Sequence, residues 1–209
     1  MFLSKLVLDP THPQARRDLA NAYEMHRTLS RVYAAGPDSK PERFLWRLEP
    51  GGHRAPDEEA SILIQSATAG RWQCIQEMRG YYRAIHPDKS VSVGQLLETG
   101  RLLAFRLACN LTVTRAGKRY GLVKDEEQLA WLAKQGAQHG FALENVRISR
   151  SERISLRQGR TGQRITLQAV QFDGVLQVVA PEQTQSALLN GIGHAKALGM
   201  GMLSLAPIR

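Results

Sequence analysis

The residues Tyr23-Glu24-Met25-His26-Arg27 are the first in the sequence whose types and spacing suggest chemistry. Positions three and four apart share one face of a helix, so Tyr23, His26 and Arg27 would stand together, and Arg31, four residues on, extends the face. A phenol, an imidazole and guanidinium groups side by side suit cleavage of RNA without a metal. There the ribose 2′-OH attacks the adjoining phosphorus, a base removes its proton, an acid protonates the departing 5′-oxygen, and positive charge steadies the phosphorane. Histidine serves proton transfer because its ordinary pKa lies near neutrality. A helix with a plain surface histidine and a half-buried tyrosine has the same spacing, so spacing alone leaves both readings open.

Two further stretches could meet a polyanion. Arg147 to Arg164 holds six arginines (Arg147, Arg150, Arg153, Arg157, Arg160 and Arg164) against one acid, Glu152, with a tight centre at Gly159 to Gly162. A basic hairpin of this kind can track RNA phosphates or enter a helical groove, although a solvated charge run at a sheet edge has the same composition. The second stretch runs from Gly191 through Gly193, His194 and Lys196 to Gly201. Its glycines let the backbone approach a ligand, its amides can hold an anion, and Lys196 adds charge. It is not a phosphate-binding P-loop, because no Gly-Lys-Ser/Thr follows, nor a dinucleotide fingerprint, because it follows a helix. A simple helix-to-strand connection explains it equally well.

Composition agrees with a polyanionic partner. The 209 residues carry 28 Lys plus Arg against 19 Asp plus Glu, a formal charge of +9, and most of the positive charge is Arg. Guanidinium holds phosphate bidentately, where ammonium is a point charge. Hydrophobic residues make up 43% of the chain, enough for a real core and too many for a disordered one. Cys74 and Cys109 show no paired spacing and read as reduced core cysteines. His12, His53, His86, His139 and His194 show no ligand spacing, so neither a metal nor a cofactor is expected. The start of the chain does not read as a signal peptide, and no stretch approaches the ~18 apolar residues that span a bilayer. The expectation is a soluble, cytoplasmic protein with no membrane partner.

The elements that must position these residues follow from the apolar pattern. Phe2 to Leu8 reads as a strand and Gln14 to Ala35 as one helix, with Phe44 to Glu49 and Ser61 to Ser66 as strands joined by a polar stretch, Gly51 to Ala60. A helix is expected between about Gly70 and Arg83, and Ala84 to Thr99 reads as connection. The order then repeats. Arg101 to Cys109 is a strand and Asp125 to His139 a helix with acids in its first turn. Phe141 to Ser149 and Gln163 to Phe172 are strands, Asp173-Gly174 a hairpin turn, and Val175 to Ala180 its return. Pro181 to Leu189 is a helix with Pro at its start, and Met202 to Ala206 a closing strand. Trp46, Trp72 and Trp131 read as core. The fold class is α+β, with two tandem ferredoxin-like (RRM-like) βαββαβ domains at 1–88 and 101–209 and a linker at 89–100.

Taken together, FLSKLVLDP at the start, ARRDLANAYEMHRTLSRVY in the first helix, FLWRLEP after it and GIGHAKALGMGMLSLAP at the end resemble the CasE-type CRISPR repeat endoribonuclease of type I-E systems. The resemblance covers nearly the whole length, its specific parts being the first helix and the terminal glycine-rich stretch. It implies the tandem ferredoxin-like fold and cleavage of the repeat stem-loop in a precursor transcript near the base of the stem, giving 5′-OH and 2′,3′-cyclic phosphate ends. It also implies that the mature RNA is kept within the Cascade complex, with the other Cascade subunits as partners. The family's catalytic histidine and tyrosine match His26 and Tyr23, and its basic hairpin matches the region around Arg157 to Arg164. The RNA-binding set is then Arg27, Arg31, Arg150, Arg157, Arg160, Arg164, Gly191, Gly193 and Lys196. The alternative is a non-catalytic RNA-binding module of a ribonucleoprotein complex.

Overall fold

A computed structural model describes every residue except 37, 50–59, 158–161, 163 and 209. The chain divides into two compact units. The first comprises Met1–Val91 with Leu156–Arg164 and Ala197–Gly199. The second comprises Ser92–Ser155, Ile165–Lys196 and Met200–Arg209.

The first unit runs β1 (Phe2–Leu8), α1 (Pro13–Ala20), α2 (Ala22–Tyr33), β2 (Phe44–Leu48), β3 (Ala60–Ser66), a single helical turn α3 (Gln73–Gln76) and β4 (Tyr82–Ser90). Its sheet has the order β2-β3-β1-β4, the ferredoxin-like arrangement. β1 lies antiparallel between its neighbours, with Leu6 opposite Ile62 on one side and Ile85 on the other. The apolar face of α2, with Met25, Leu29 and Val32 at most 1% exposed, closes on the sheet against Leu6, Ile62 and Ile64. That spacing of three and four is what a helix needs to bury one stripe.

The sequence pattern leads to one long first helix, but the chain breaks at Asn21. Asn21 is extended (φ −141°, ψ 106°), and its side chain accepts from Tyr23 N at 3.1 Å, so it ends α1 and caps α2. The elbow is fastened from inside. Asp18, 1% exposed, accepts from Thr28 Oγ1 at 2.7 Å and Tyr81 Oη at 2.9 Å, while Arg17 Nη2 meets its other oxygen at 3.0 Å. One carboxylate therefore ties α1 to α2 and to the residue before β4.

The helix expected over Gly70 to Arg83 shrinks to the one turn of α3, and Ala84–Ser90, read as connection, is strand. Pro87 is tolerated because β4 is an edge strand and needs its N–H groups on one side only. Asp88 takes a positive φ of 46° at a register shift in the β1–β4 ladder. Its carboxylate accepts from Ser4 Oγ (3.2 Å), Gly70 N (3.1 Å) and Trp72 Nε1 (3.0 Å), so it joins both strands to the approach to α3.

In the second unit come β5 (Leu102–Asn110), a small hairpin β6 (Thr112–Arg115) and β7 (Lys118–Gly121), α4 (Asp125–Gln138), β8 (Phe141–Arg157), β9 (Arg164–Val178), α5 (Pro181–Asn190) and β10 (Leu203–Pro207). The sheet order β10-β5-β9-β8 repeats the first unit's. The β6–β7 hairpin has no counterpart in the sequence reading. The turn expected at Asp173-Gly174 is absent, since β9 runs straight through it against β5, with Arg106 opposite Asp173. Arg106 Nε donates to Asp173 Oδ1 at 2.6 Å, and a Cβ on Gly174 would run into Asn145 O of β8. These residues serve a strand pairing and a close backbone approach that imitate a turn signal. The hairpin centre Gly159 to Thr161, Arg160 and most of the polar stretch after β2 fall outside the described residues.

Removing the Asp18 carboxylate strands the buried hydroxyls of Thr28 and Tyr81. Asp18→Ala is expected to cost about 3 kcal/mol in urea unfolding, and Tyr81→Phe, which removes one donor, about 1 kcal/mol. Equal stability of Asp18→Ala and wild type would show that the elbow is held elsewhere.

Candidate active site

α2 carries the chemistry-bearing group. Tyr23 and His26 are half-buried, while Arg27 and Arg31 are exposed. The His26 ring stacks on Phe44 of β2, with centroids 5.1 Å apart and planes 23° apart. Tyr33, two turns on, stacks on Phe44 at 4.8 Å, so Phe44 sits in contact with both rings. Burial lowers the His26 pKa below the ordinary histidine value, and His26 Nδ1 is buried with no hydrogen-bond partner among the described residues. An unpartnered buried nitrogen in a half-buried ring is an exception to the usual satisfaction of buried polar atoms. It leaves Nε2 as the nitrogen that can meet a substrate. The Tyr23 phenol makes no side-chain hydrogen bond among the described residues, and none links it to His26. Burial pushes the Tyr33 phenol up to about 12, which makes it a poor proton carrier at neutrality.

Arg27 is steadied by Glu24, whose Oε2 lies 3.6 Å from Arg27 Nη2 and 3.6 Å from Arg17 Nε. Arg27 and Arg31 also line a cleft of about 720 Å³ whose opposite wall is formed by Arg71, Gln73, Cys74 and Glu77.

The remaining residues of the expected site are distributed as follows. Arg150, on β8, is exposed and pairs with Glu152 at 2.7 Å. Arg164 is exposed at the start of β9, and Arg157 ends β8, the strand beside it. The Arg157 side chain and the whole of Arg160 lie outside the described residues. Gly191 has φ +70° and its N–H donates to Ala187 O at 2.8 Å, so it terminates α5. Gly193 has φ +80°, and Lys196 Nζ donates to Gly193 O at 2.7 Å, which folds the loop on itself. Within the first unit, Trp46 Nε1 donates to Ala197 O at 3.3 Å, and a Cβ on Gly199 would press on the Trp46 ring at 3.0 Å. Among the described residues, no three His, Cys, Asp or Glu side chains group as a metal would need. No helix among them is long and apolar enough to cross a membrane.

Sequence reasoning missed two parts. Phe44 appears in it only as a strand residue, because a cross-element stacking partner leaves no local signal. Arg71 lies in a stretch with little periodicity, and nothing near it marks the arginine as facing α2.

Residues 1–207 match a family described as "CRISPR associated protein". The chain is 38% identical to the CRISPR-associated endoribonuclease Cse3 of Thermus thermophilus, over 99% of this chain and 100% of that protein. It is 29% identical to the CRISPR system Cascade subunit CasE of Escherichia coli over the full length of both. A solved structure of the endoribonuclease Cse3 bound to a 19-nucleotide RNA superposes with a TM-score of 0.87 at 38% identity, covering 99% of this chain and 100% of that one.

The His26 environment has a titration consequence. The imidazole should titrate below the 6.5 of an ordinary histidine, as read by NMR of the free protein, and Phe44→Leu, which loosens the covering ring, should move the midpoint upward. The sign for stability follows by linkage. The unfolded chain takes the proton first as pH falls, so the contribution is whole above the ordinary value and declines as pH drops through it toward the folded one. A midpoint above 6.5 would contradict a desolvated ring.

Proposed function

We propose how this chain works from the premise that it belongs to the CRISPR-associated protein family of Cse3 and CasE, the crRNA-processing endoribonucleases of type I-E systems. It binds the CRISPR repeat RNA, cuts it, and acts with the other subunits of Cascade. The observation that carries the mechanism is the desolvated His26 ring on α2, flanked along the same helix by Tyr23, Arg27 and Arg31.

The stem-loop of the repeat is held so that the phosphate at the stem base reaches α2. The 2′-oxygen attacks that phosphorus, a P–O bond forms to it, and the bond to the 5′-oxygen breaks. His26 transfers a proton to or from these oxygens through Nε2. Its lowered pKa keeps it neutral and able to accept a proton in the free protein, and a bound phosphate anion raises that pKa toward the value an acid needs. Tyr23 donates a hydrogen bond that orients the 2′-OH or the phosphate, and Arg27 and Arg31 supply positive charge. The products carry a 2′,3′-cyclic phosphate and a 5′-OH. No metal takes part.

Arg150, Arg157, Arg160 and Arg164 track the stem phosphates along the β8–β9 hairpin. Gly191 and Gly193 let the loop backbone come close to RNA, with Lys196 adding charge. The RNA-binding work is divided between two domains, 1–88 and 101–209, joined through 89–100, and the protein acts in the cytoplasm on the precursor transcript.

The test is single-turnover cleavage of the cognate repeat RNA in excess EDTA, with end-group analysis. Wild type is expected to cut fully and leave the cyclic phosphate. His26→Ala is expected to cut ~10²- to 10⁴-fold more slowly while binding the RNA almost as well. Loss of wild-type cutting in EDTA, or full activity of His26→Ala, would refute the mechanism.

A further inference from the structure

The cleft beside α2 is not needed to explain cutting at His26, yet its charge and position assign it a ligand. It lies within the first unit, between α2 and the segment around α3, and encloses about 720 Å³, within the ordinary range for a ligand site. Three of its lining side chains are arginines (Arg27, Arg31 and Arg71) against one acid, Glu77. Arg71 is fixed rather than trailing in solvent, because its Nη1 donates to Ala34 O at 2.9 Å, just past the end of α2. That bond ties the guanidinium to the cleft wall, and among the described residues no carboxylate partners its other N–H groups. Arg31 likewise has no carboxylate partner there, its Nη1 approaching only Met78 Sδ at 3.9 Å. Arg27 is paired with Glu24, so Arg31 and Arg71 are the two cleft guanidiniums without a carboxylate among the described residues, and guanidinium in that state is suited to phosphate.

The cleft lies beside the proposed cutting site. It begins at Arg27, the residue after His26, and follows α2 to Ala34, a run of about 10 Å at the helical rise. A polynucleotide with its reacting phosphate at His26 would bring the next phosphates of the same strand to the cleft. With the stem on the 5′ side of the cut, the strand that leaves the stem runs 3′, and we propose that this cleft is a subsite for that single-stranded 3′ flank, with Arg71 a positioning residue for it. The assignment rests on the endoribonuclease reading and adds to it a substrate segment beyond the stem-loop. Arg71 acts by holding the flank, and it does not touch the reacting atoms.

Cys74 gives a readout in the unaltered protein. It lines the cleft half-buried, while Cys109, the other cysteine, is fully buried. Alkylation of native protein by iodoacetamide therefore reports on Cys74. Three repeat RNAs with a non-reactive 2′-deoxy nucleotide at the cut would be compared: the stem-loop alone, the stem-loop with a 3′ flank, and the stem-loop with a 5′ flank. The 3′-flanked RNA is expected to slow Cys74 alkylation, and the other two are expected to leave it unchanged. In binding, Arg71→Ala should weaken the 3′-flanked RNA about fivefold near 0.1 M salt and lower the salt slope by about 0.7, the value of one single-strand phosphate contact, while the stem-loop alone binds as to wild type. Arg71→Lys should recover part of the slope. Equal protection by all three RNAs, protection by the 5′ flank, or an Arg71→Ala loss of the same size on the stem-loop alone would overturn the assignment. Because the RNAs are uncut, these results stand apart from the nuclease reading. A wild type that binds with 3′-flank protection but never cuts a reactive repeat would sink the mechanism and keep the cleft.

Discussion

A carboxylate taken out of water is tolerable only when donors surround it, and Asp18 is the point at which the first unit meets that demand. Its three partners come from three places, Arg17 on α1, Thr28 on α2 and Tyr81 ahead of β4. Because none of them can drift without stranding a buried polar group, the angle at Asn21 between α1 and α2 is set, and with it the face of α2 that turns toward β2. Phe44 then covers one side of the His26 ring. The same desolvation that lowers the imidazole pKa comes from this packing, so a structural constraint at Asp18 becomes a chemical property eight residues later.

The two sheets share one strand order and carry different loads. In the first unit the second helix of the ferredoxin-like pattern is reduced to the single turn α3, and an arginine-lined cleft lies between it and α2. In the second unit both helices are full length, and β8 and β9 run 17 and 15 residues, β9 extending past its pairing with β5, which ends at Ala169. Arg150 and Arg157 lie on β8 and Arg164 at the start of β9. Glycine is used where space is short, as at Gly174 against β8 and at Gly199 against Trp46.

Much of this was legible in the chain. The apolar alternation of β1, β3 and β5 and the spacing of Met25, Leu29 and Val32 are local signals of burial, and two rounds of the same order imply two ferredoxin-like units. The triple on α2 was visible because helical spacing is itself local. What escaped the reading depended on partners distant in sequence. Asn21 looks like any polar residue in a helical run until its side chain is seen capping Tyr23 N. Tyr82–Ser90 contains His-Pro-Asp, which reads as a break, and becomes strand because β1 offers it an edge. Asp173-Gly174 has the composition of a turn and is instead a cross-strand ion pair beside a close backbone approach. Phe44 and Arg71 belong to the site by packing alone. The histidine's environment, unlike its presence, could come only from the folded chain.

Whether the imidazole of His26 moves the proton can be asked of the bond-breaking step by chemical rescue. Single-turnover cleavage by His26→Ala would be followed across pH with and without free imidazole, using the intact repeat RNA and protein in excess. If the ring is the proton carrier, imidazole should restore a measurable part of the lost rate, with a pH dependence that follows the titration of the added imidazole. If His26→Ala cuts as fast as wild type at every pH, proton transfer resides on another group and the role given to α2 is wrong.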